Sequence, residues 1–234
     1  MKDAILYMIP SPVWPDNVES IPPETIRVLH SLDHFIVERA KTARRYIKAS
    51  GHPLPLQKIE IVEMDDIKSE LSVFKQWISA GMSIGVISEA GCPGVADPGA
   101  SLVAEAHLMK VSVVPCVGPS SILMALMASG FNGQQFSFNG YLPNKKPELT
   151  VMLKNLEQIV QKERRTQIFI ETPYRNNFLF EECLRVLQEN TSLSLACGLN
   201  GPDPFIKTMK IRDWKKLKNI FLHKVPCIFS IGTL

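Results

Sequence analysis

No apolar run in this 234-residue chain approaches the roughly 20 residues that cross a bilayer, so no membrane-spanning helix is expected. The opening MKDAILYMIPSP has a short apolar stretch but no small-residue cleavage site, and reads as a first strand instead of a secretory signal. Cysteine is sparse: Cys92, Cys116, Cys183, Cys197 and Cys227 are scattered, with no C-x-x-C pair. Such spacing argues against a disulfide framework and against zinc, and for a reducing, cytoplasmic compartment. His30 and His34 are four apart, but the pattern puts them on different elements, a helix and a strand, so no metal site is expected there. Glycine is absent after the first strand, where Ile9 to Pro15 reads IPSPVWP. That excludes the dinucleotide turn of Rossmann dehydrogenases. A Walker lysine and a G-x-S-x-G nucleophile elbow are missing too. A large charge excess is also lacking: the net charge is only +3, too little for a global nucleic-acid footprint.

What the chain does have is two glycine-bearing turns. Ile84 to Ile87 is a short apolar run that opens into Ser88–Gly99, a loop carrying Gly91, Pro93, Gly94, Pro98 and Gly99, with the acid Asp97 among these five. An apolar run bounded in this way reads as a buried parallel strand emptying into a loop. Ligands of open α/β sheets sit outside the carboxyl ends of strands, where glycine lets backbone approach closely. The second unit repeats the pattern. Val111 to Val117 is apolar and β-branched, and it ends in Gly118-Pro119-Ser120-Ser121 before an apolar helix from Ile122 to Ala128. Serine there suits a helix N-cap, and the amides of a first helical turn suit a polar or anionic group. A capped turn without ligand is the plainer reading of either loop; two in succession favour a ligand.

The rest of the first half alternates. Strands are expected at Ile5–Ile9, Phe35–Glu38 and Lys58–Val62, with helices at Glu24–Leu32, Thr42–Ala49 and about Ile67–Ala80. Alternation of this kind predicts a parallel sheet with helices on both faces. After Gly130 the texture changes. A short strand at Phe136–Phe138, a basic proline-bounded loop and a helix at Glu148–Glu163 are followed by a strand at Gln167–Glu171. A helix at Asn177–Glu189, a strand at Leu193–Cys197, a short helix at Ile211–Leu217 and a last strand at Cys227–Ile231 complete the reading. The fold class is therefore α/β in two domains, 1–117 with a parallel sheet and 118–234 with a mixed sheet, meeting near Val117–Gly118.

The stretches SEAGCPGVADPG, VGPSSILMALMASGF, FSFNGYLPNKK and IFIETPYRN occur in this order along the chain. Together they resemble the tetrapyrrole methylase superfamily of S-adenosylmethionine-dependent methyltransferases, most of all the branch that methylates a ribose 2′-hydroxyl of 16S ribosomal RNA. The resemblance runs from Leu6 to Gly232. It implies S-adenosylmethionine as cofactor, held in a cleft between two α/β domains, and a homodimer. It also implies donor contacts from Pro10, Gly91, Cys92, Val95, Ser120, Ser121, Leu199 and Pro226. On the acceptor side the chain departs from the branch. Trp14-Pro15-Asp16-Asn17 stands where glycine, asparagine, leucine and aspartate are usual, Glu38-Arg39-Ala40-Lys41 replaces glutamate-aspartate-threonine-arginine, and Glu89 stands for aspartate. A porphyrinogen or precorrin acceptor, or a non-catalytic relative, are the alternatives these departures leave open.

Acceptor-side candidates are Glu38, Arg44, Asp97, Tyr174 and Arg175. A ribose hydroxyl is a weak nucleophile and gains from a base; Glu38, Glu89 and Asp97 are the carboxylates near strand ends, and the sequence singles out none. Arg175 can meet a phosphate or pair with Glu171. Arg39, Lys41, Arg44, Arg45 and Lys48 form one basic cluster, and Lys207, Lys210, Arg212, Lys215, Lys216 and Lys218 another. Such runs are more often solvated faces than binding surfaces. With Tyr46, Trp214 and Tyr141 close by to stack on bases, RNA or the small ribosomal subunit is the expected partner.

Overall fold

The structure, a computed structural model, describes residues 4–217, 220 and 222–234. Lys218 of the second basic cluster lies outside them. The chain divides into two compact units, Met1–Ser120 and Ser121–Leu234.

The first unit is built on five parallel strands: β1 (Ile5–Ile9), β2 (His34–Val37), β3 (Glu60–Glu63), β4 (Ile84–Ile87) and β5 (Ser112–Pro115). Their order is β3-β2-β4-β1-β5, so β4 and β1 are central. Both read as near-continuous apolar runs because helices cover both faces of the sheet. Side chains alternate between two cores. Ile9, Phe35, Val37 and Ile87 pack with α1 (Pro23–His30) and α2 (Ala40–Ala49). Leu6, Met8, Ile36, Ile84 and Val86 pack with α3 (Ile67–Ser79) and α4 (Ala100–Leu108). The local signals are orthodox: Pro22 and Pro23 open α1, and the Asp66 carboxylate accepts from the Ser69 amide at 3.0 Å to cap α3. His30 closes α1 and His34 opens β2, on separate elements; each is engaged locally, with the Ser50 carbonyl at 3.0 Å and Asp33 at 2.6 Å.

The second unit has a mixed sheet in the order β6-β7-β10-β8-β9. Its strands are β6 (Phe136–Tyr141), β7 (Thr166–Ile170), β8 (Ser192–Cys197), β9 (Phe205–Lys210) and β10 (Cys227–Gly232). Only β6 and β7 pair in parallel. One face carries Phe169, Leu193, Leu195, Phe229 and Ile231 against α6 (Lys146–Glu163), α7 (Asn176–Val186) and α8 (Ile211–Trp214). The other face carries small and polar residues, Ser194, Ala196 and Ser230, and is covered by α5 (Ser121–Ser129).

Two readings of the sequence change here. Strand β9 was not expected; its FIKTMK run is basic and exposed, as an edge strand can be, and gives no apolar alternation. The cysteine reading is corrected as well. Cys197 and Cys227 form a disulfide, with Cα atoms 4.1 Å apart. Thirty residues separate them in sequence, but they are direct partners in the β8–β10 register. The Gly198 amide donates to the Pro226 carbonyl at 2.9 Å, so the cysteine pair next to it is the non-hydrogen-bonded kind, where side chains come closest. Spacing alone cannot reveal such pairing.

Candidate functional site

In the first unit the carboxyl ends of β1, β4 and β5 converge on one loop system. After β4, Ser88–Gly99 turns back on the segment that follows β1: Ser11 and Gly91 exchange both backbone bonds, at 2.9 and 3.1 Å. Ser11 Oγ also donates to the Ser88 carbonyl at 2.9 Å, and Ser88 Oγ to the Gly91 carbonyl at 3.3 Å. Gly91 has φ +80°, the left-handed region that disfavours a side chain, and its amide and carbonyl are both taken by the bridge. It therefore shapes the loop. Cys92 Sγ reaches across to the Pro119 carbonyl at 3.4 Å and links the loop to the turn after β5.

That turn is packed without slack. A Cβ on Gly118 would stand 2.3 Å from the Cβ of Pro10. The Pro10 carbonyl accepts from the Tyr46 hydroxyl at 3.2 Å, and the Val117 carbonyl from Thr25 Oγ1 at 2.6 Å. Pro10, Gly91, Cys92 and the Pro119-Ser120 turn are thus fixed to one another, while Val95 stands half exposed within the loop.

Carboxylates line the same end of the sheet. Glu38 accepts from the Glu89 amide at 2.7 Å and so pins the start of the loop. Asp97 is half-buried. Burial first, then the neighbouring charge of Glu38, pushes its pKa up to about 7; Ser88 opposes the rise with a hydrogen bond and Glu89 adds to it. Beside these groups is a small, open cleft lined by Ser11, Pro12, Asp16, Tyr46, Ser88 and Glu89 among others, with the Asp16–Arg45 ion pair of 3.1 Å at its edge. Arg44 is elsewhere, on the exposed side of α2.

In the second unit the carboxyl ends of β6, β7 and β8 lie at one end of the sheet with the start of β10. Leu199, 7% exposed, follows β8, and the Gly198–Pro226 bond holds its loop to the exposed Pro226. Tyr174 is exposed; Arg175 donates to Glu171 at 2.9 Å, the pairing that was the alternative to a phosphate contact. Ser121 is the first residue of α5.

The stacking candidates divide. Tyr46 is 6% exposed and Trp214 1%, the latter donating to the Leu193 carbonyl at 2.9 Å. Both are core residues and offer no face to a base. Tyr141 is exposed. The Ser11–Gly91 bridge and the Thr25 and Tyr46 bonds were not foreseen; a serine in a proline-rich segment gives no signal of a partner 80 residues away. Among the described residues no group of His, Cys, Asp or Glu is arranged to hold a metal ion, and no helix is long and apolar enough to cross a membrane.

No family model matches the chain. It is similar to proteins named ribosomal RNA small subunit methyltransferase I. That of Vibrio cholerae is 32% identical over 209 residues, 89% of this chain and 69% of the relative. That of the Buchnera aphidicola strain from Acyrthosiphon pisum is 26% identical over 230 residues, 97% of this chain and 78% of the relative. That of Bacillus subtilis is 33% identical over 173 residues, 73% of this chain and 56% of the relative.

Proposed function

The chain belongs to the tetrapyrrole methylase superfamily of methyltransferases, and on that premise we propose that it moves a methyl group from S-adenosylmethionine to a ribose 2′-hydroxyl of small-subunit ribosomal RNA. The observation that carries the reading is the loop system at the ends of β1, β4 and β5, where Ser11–Gly91 and Cys92–Pro119 hold two glycine turns in one rigid cradle.

The sulfonium donor brings an activated methyl, so the cofactor supplies the difficult bond. The protein's part is to orient the acceptor and keep water away. In the first unit Pro10, Gly91, Cys92, Val95 and Ser120 form the donor's surroundings, with Gly91 giving room and its neighbours giving contacts. Ser121, Leu199 and Pro226 are the second unit's donor residues, by resemblance. Glu38 positions the loop through the Glu89 amide. Asp97, titrating near neutrality, is the carboxylate suited to take the acceptor hydroxyl's proton. A porphyrinogen acceptor has less support, because the relatives are named for ribosomal RNA. A cytoplasmic location, resting on the ribosomal RNA relatives and no longer on the cysteines, and a homodimer complete the proposal.

Calorimetry with S-adenosylhomocysteine tests the donor site. Wild type is expected to bind one equivalent per chain and Gly118→Ala at least tenfold more weakly, since its methyl displaces Pro10. Absence of binding by folded wild type contradicts the assignment.

A further inference from the structure

The two exposed tyrosines of the second unit stand at the same end of its sheet, with Lys145, Lys146, Arg175 and Lys224 within a few residues of them or of the turn that packs under Tyr174. Tyr141 closes β6 and is paired in register with Ile170, the last residue of β7. Tyr174 follows β7 by four residues. The rings are 63% and 68% exposed, whereas most other aromatics of the unit lie in its core.

The platform under Tyr174 is built, not loose. The Lys224 amide donates to the Pro173 carbonyl at 3.0 Å, Asn176 Nδ2 to the Val225 carbonyl at 2.6 Å, and the Leu222 amide to Asn177 Oδ1 at 2.8 Å. These bonds clamp the turn before β10 onto the start of α7, and the His223 ring meets Tyr174 edge to face with centroids 5.7 Å apart. Arg175 is held by Glu171 and by the Asn144 carbonyl at 3.3 Å, with its guanidinium 5.0 Å from the Phe178 ring centre. Lys146 pairs with the buried Glu182 at 3.3 Å, a carboxylate that Arg185 shares. Lys145 faces Glu148 only at 3.9 Å in the open, and Lys224 has no ion pair among the described residues. Exposed rings on a fixed base, with two weakly compensated lysines beside them, are what single-stranded nucleic acid uses: bases stack and phosphates meet cations.

We propose that Tyr141 and Tyr174, with Lys145 and Lys224, form a stacking platform for a single-stranded RNA segment on the second unit. The proposal rests on the RNA reading above and adds where the acceptor strand is gripped. Stacking tolerates any base, so the platform holds the strand without choosing its sequence.

The test is fluorescence anisotropy with a labelled single-stranded RNA of about twelve nucleotides, a length within the usual footprint of such sites. The Tyr141→Ala/Tyr174→Ala double variant is expected to bind at least tenfold more weakly than wild type, and Tyr141→Phe/Tyr174→Phe to recover most of the loss. Lys145→Ala/Lys224→Ala is expected to flatten the slope of log affinity against log salt by about 1.4, two phosphates' worth. Binding of S-adenosylhomocysteine by every variant reports that the chain is folded. If wild type binds the RNA and the tyrosine-to-alanine variant stays within twofold of it, the platform is overturned while the RNA reading stands. If wild type binds S-adenosylhomocysteine but neither this RNA nor ribosomal subunits, both fall.

Discussion

At Gly118 an added methyl would meet Pro10 at 2.3 and 2.7 Å, too close for anything but displacement of the β1 end. Gly118→Ala is expected to cost about 1–3 kcal/mol, as overpacking does. Gly133, with nothing within 4 Å, is the control: Gly133→Ala is expected to leave the free energy of urea unfolding within about 0.5 kcal/mol of wild type. Asp97 makes a pH-dependent case. Its pKa is raised from 3.8 to about 7, so its contribution is full below pH 4 and is lost as pH rises through 7. The side chain is partly exposed, and solvent screening reduces the effect to about 1 kcal/mol. Asp97→Asn is therefore expected to melt about 2–4 °C above wild type at pH 8 and level with it at pH 4, by scanning calorimetry. An equal offset at both pH values contradicts the assignment. At this scale the sequence is a good guide to which loops matter and a poor guide to what each side chain does in them. Glycine, proline and acid in Ser88–Gly99 announce a special loop. That Gly91 spends both backbone groups on Ser11, or that Tyr46 anchors Pro10 from within a core, depends on distant partners.

Among the elements, the strands and helices that bury a full face were legible. Ile84–Ile87 forms β4 with no shift, and Ile5–Ile9 forms β1. The elements decided by pairing were less so. Strand β9 borrows its place from β8, and the register of β10 on β8 joins Cys197 to Cys227. A thiol titration in denaturant is expected to count three free thiols before reduction, from Cys92, Cys116 and Cys183, and five after it. Five at the outset means the bridge is not present. The link from α6 to the start of β8 is polar: buried Glu157 accepts from the Gln188 amide at 2.8 Å and from Thr191 Oγ1. Glu157→Ala orphans those donors and is expected to cost about 1–3 kcal/mol in urea unfolding.

For the whole molecule, family and α/β class were legible because four motifs keep their order along the chain, and order survives where single residues change. The departures at Trp14-Pro15-Asp16-Asn17 are part of the structure in hand: Asp16 pairs with Arg45 beside the cleft next to the loop system. The donor should stabilise what it binds. At about 100 times its dissociation constant, S-adenosylhomocysteine is expected to add about 2.7 kcal/mol and raise the melting temperature by about 5–10 °C. The most direct measurement gives the protein methyl-labelled S-adenosylmethionine and small ribosomal subunits, then digests the RNA to nucleosides. Label in a 2′-O-methylated nucleoside of 16S ribosomal RNA is the expected result; label that stays out of RNA, with donor bound and subunits intact, contradicts the proposed activity.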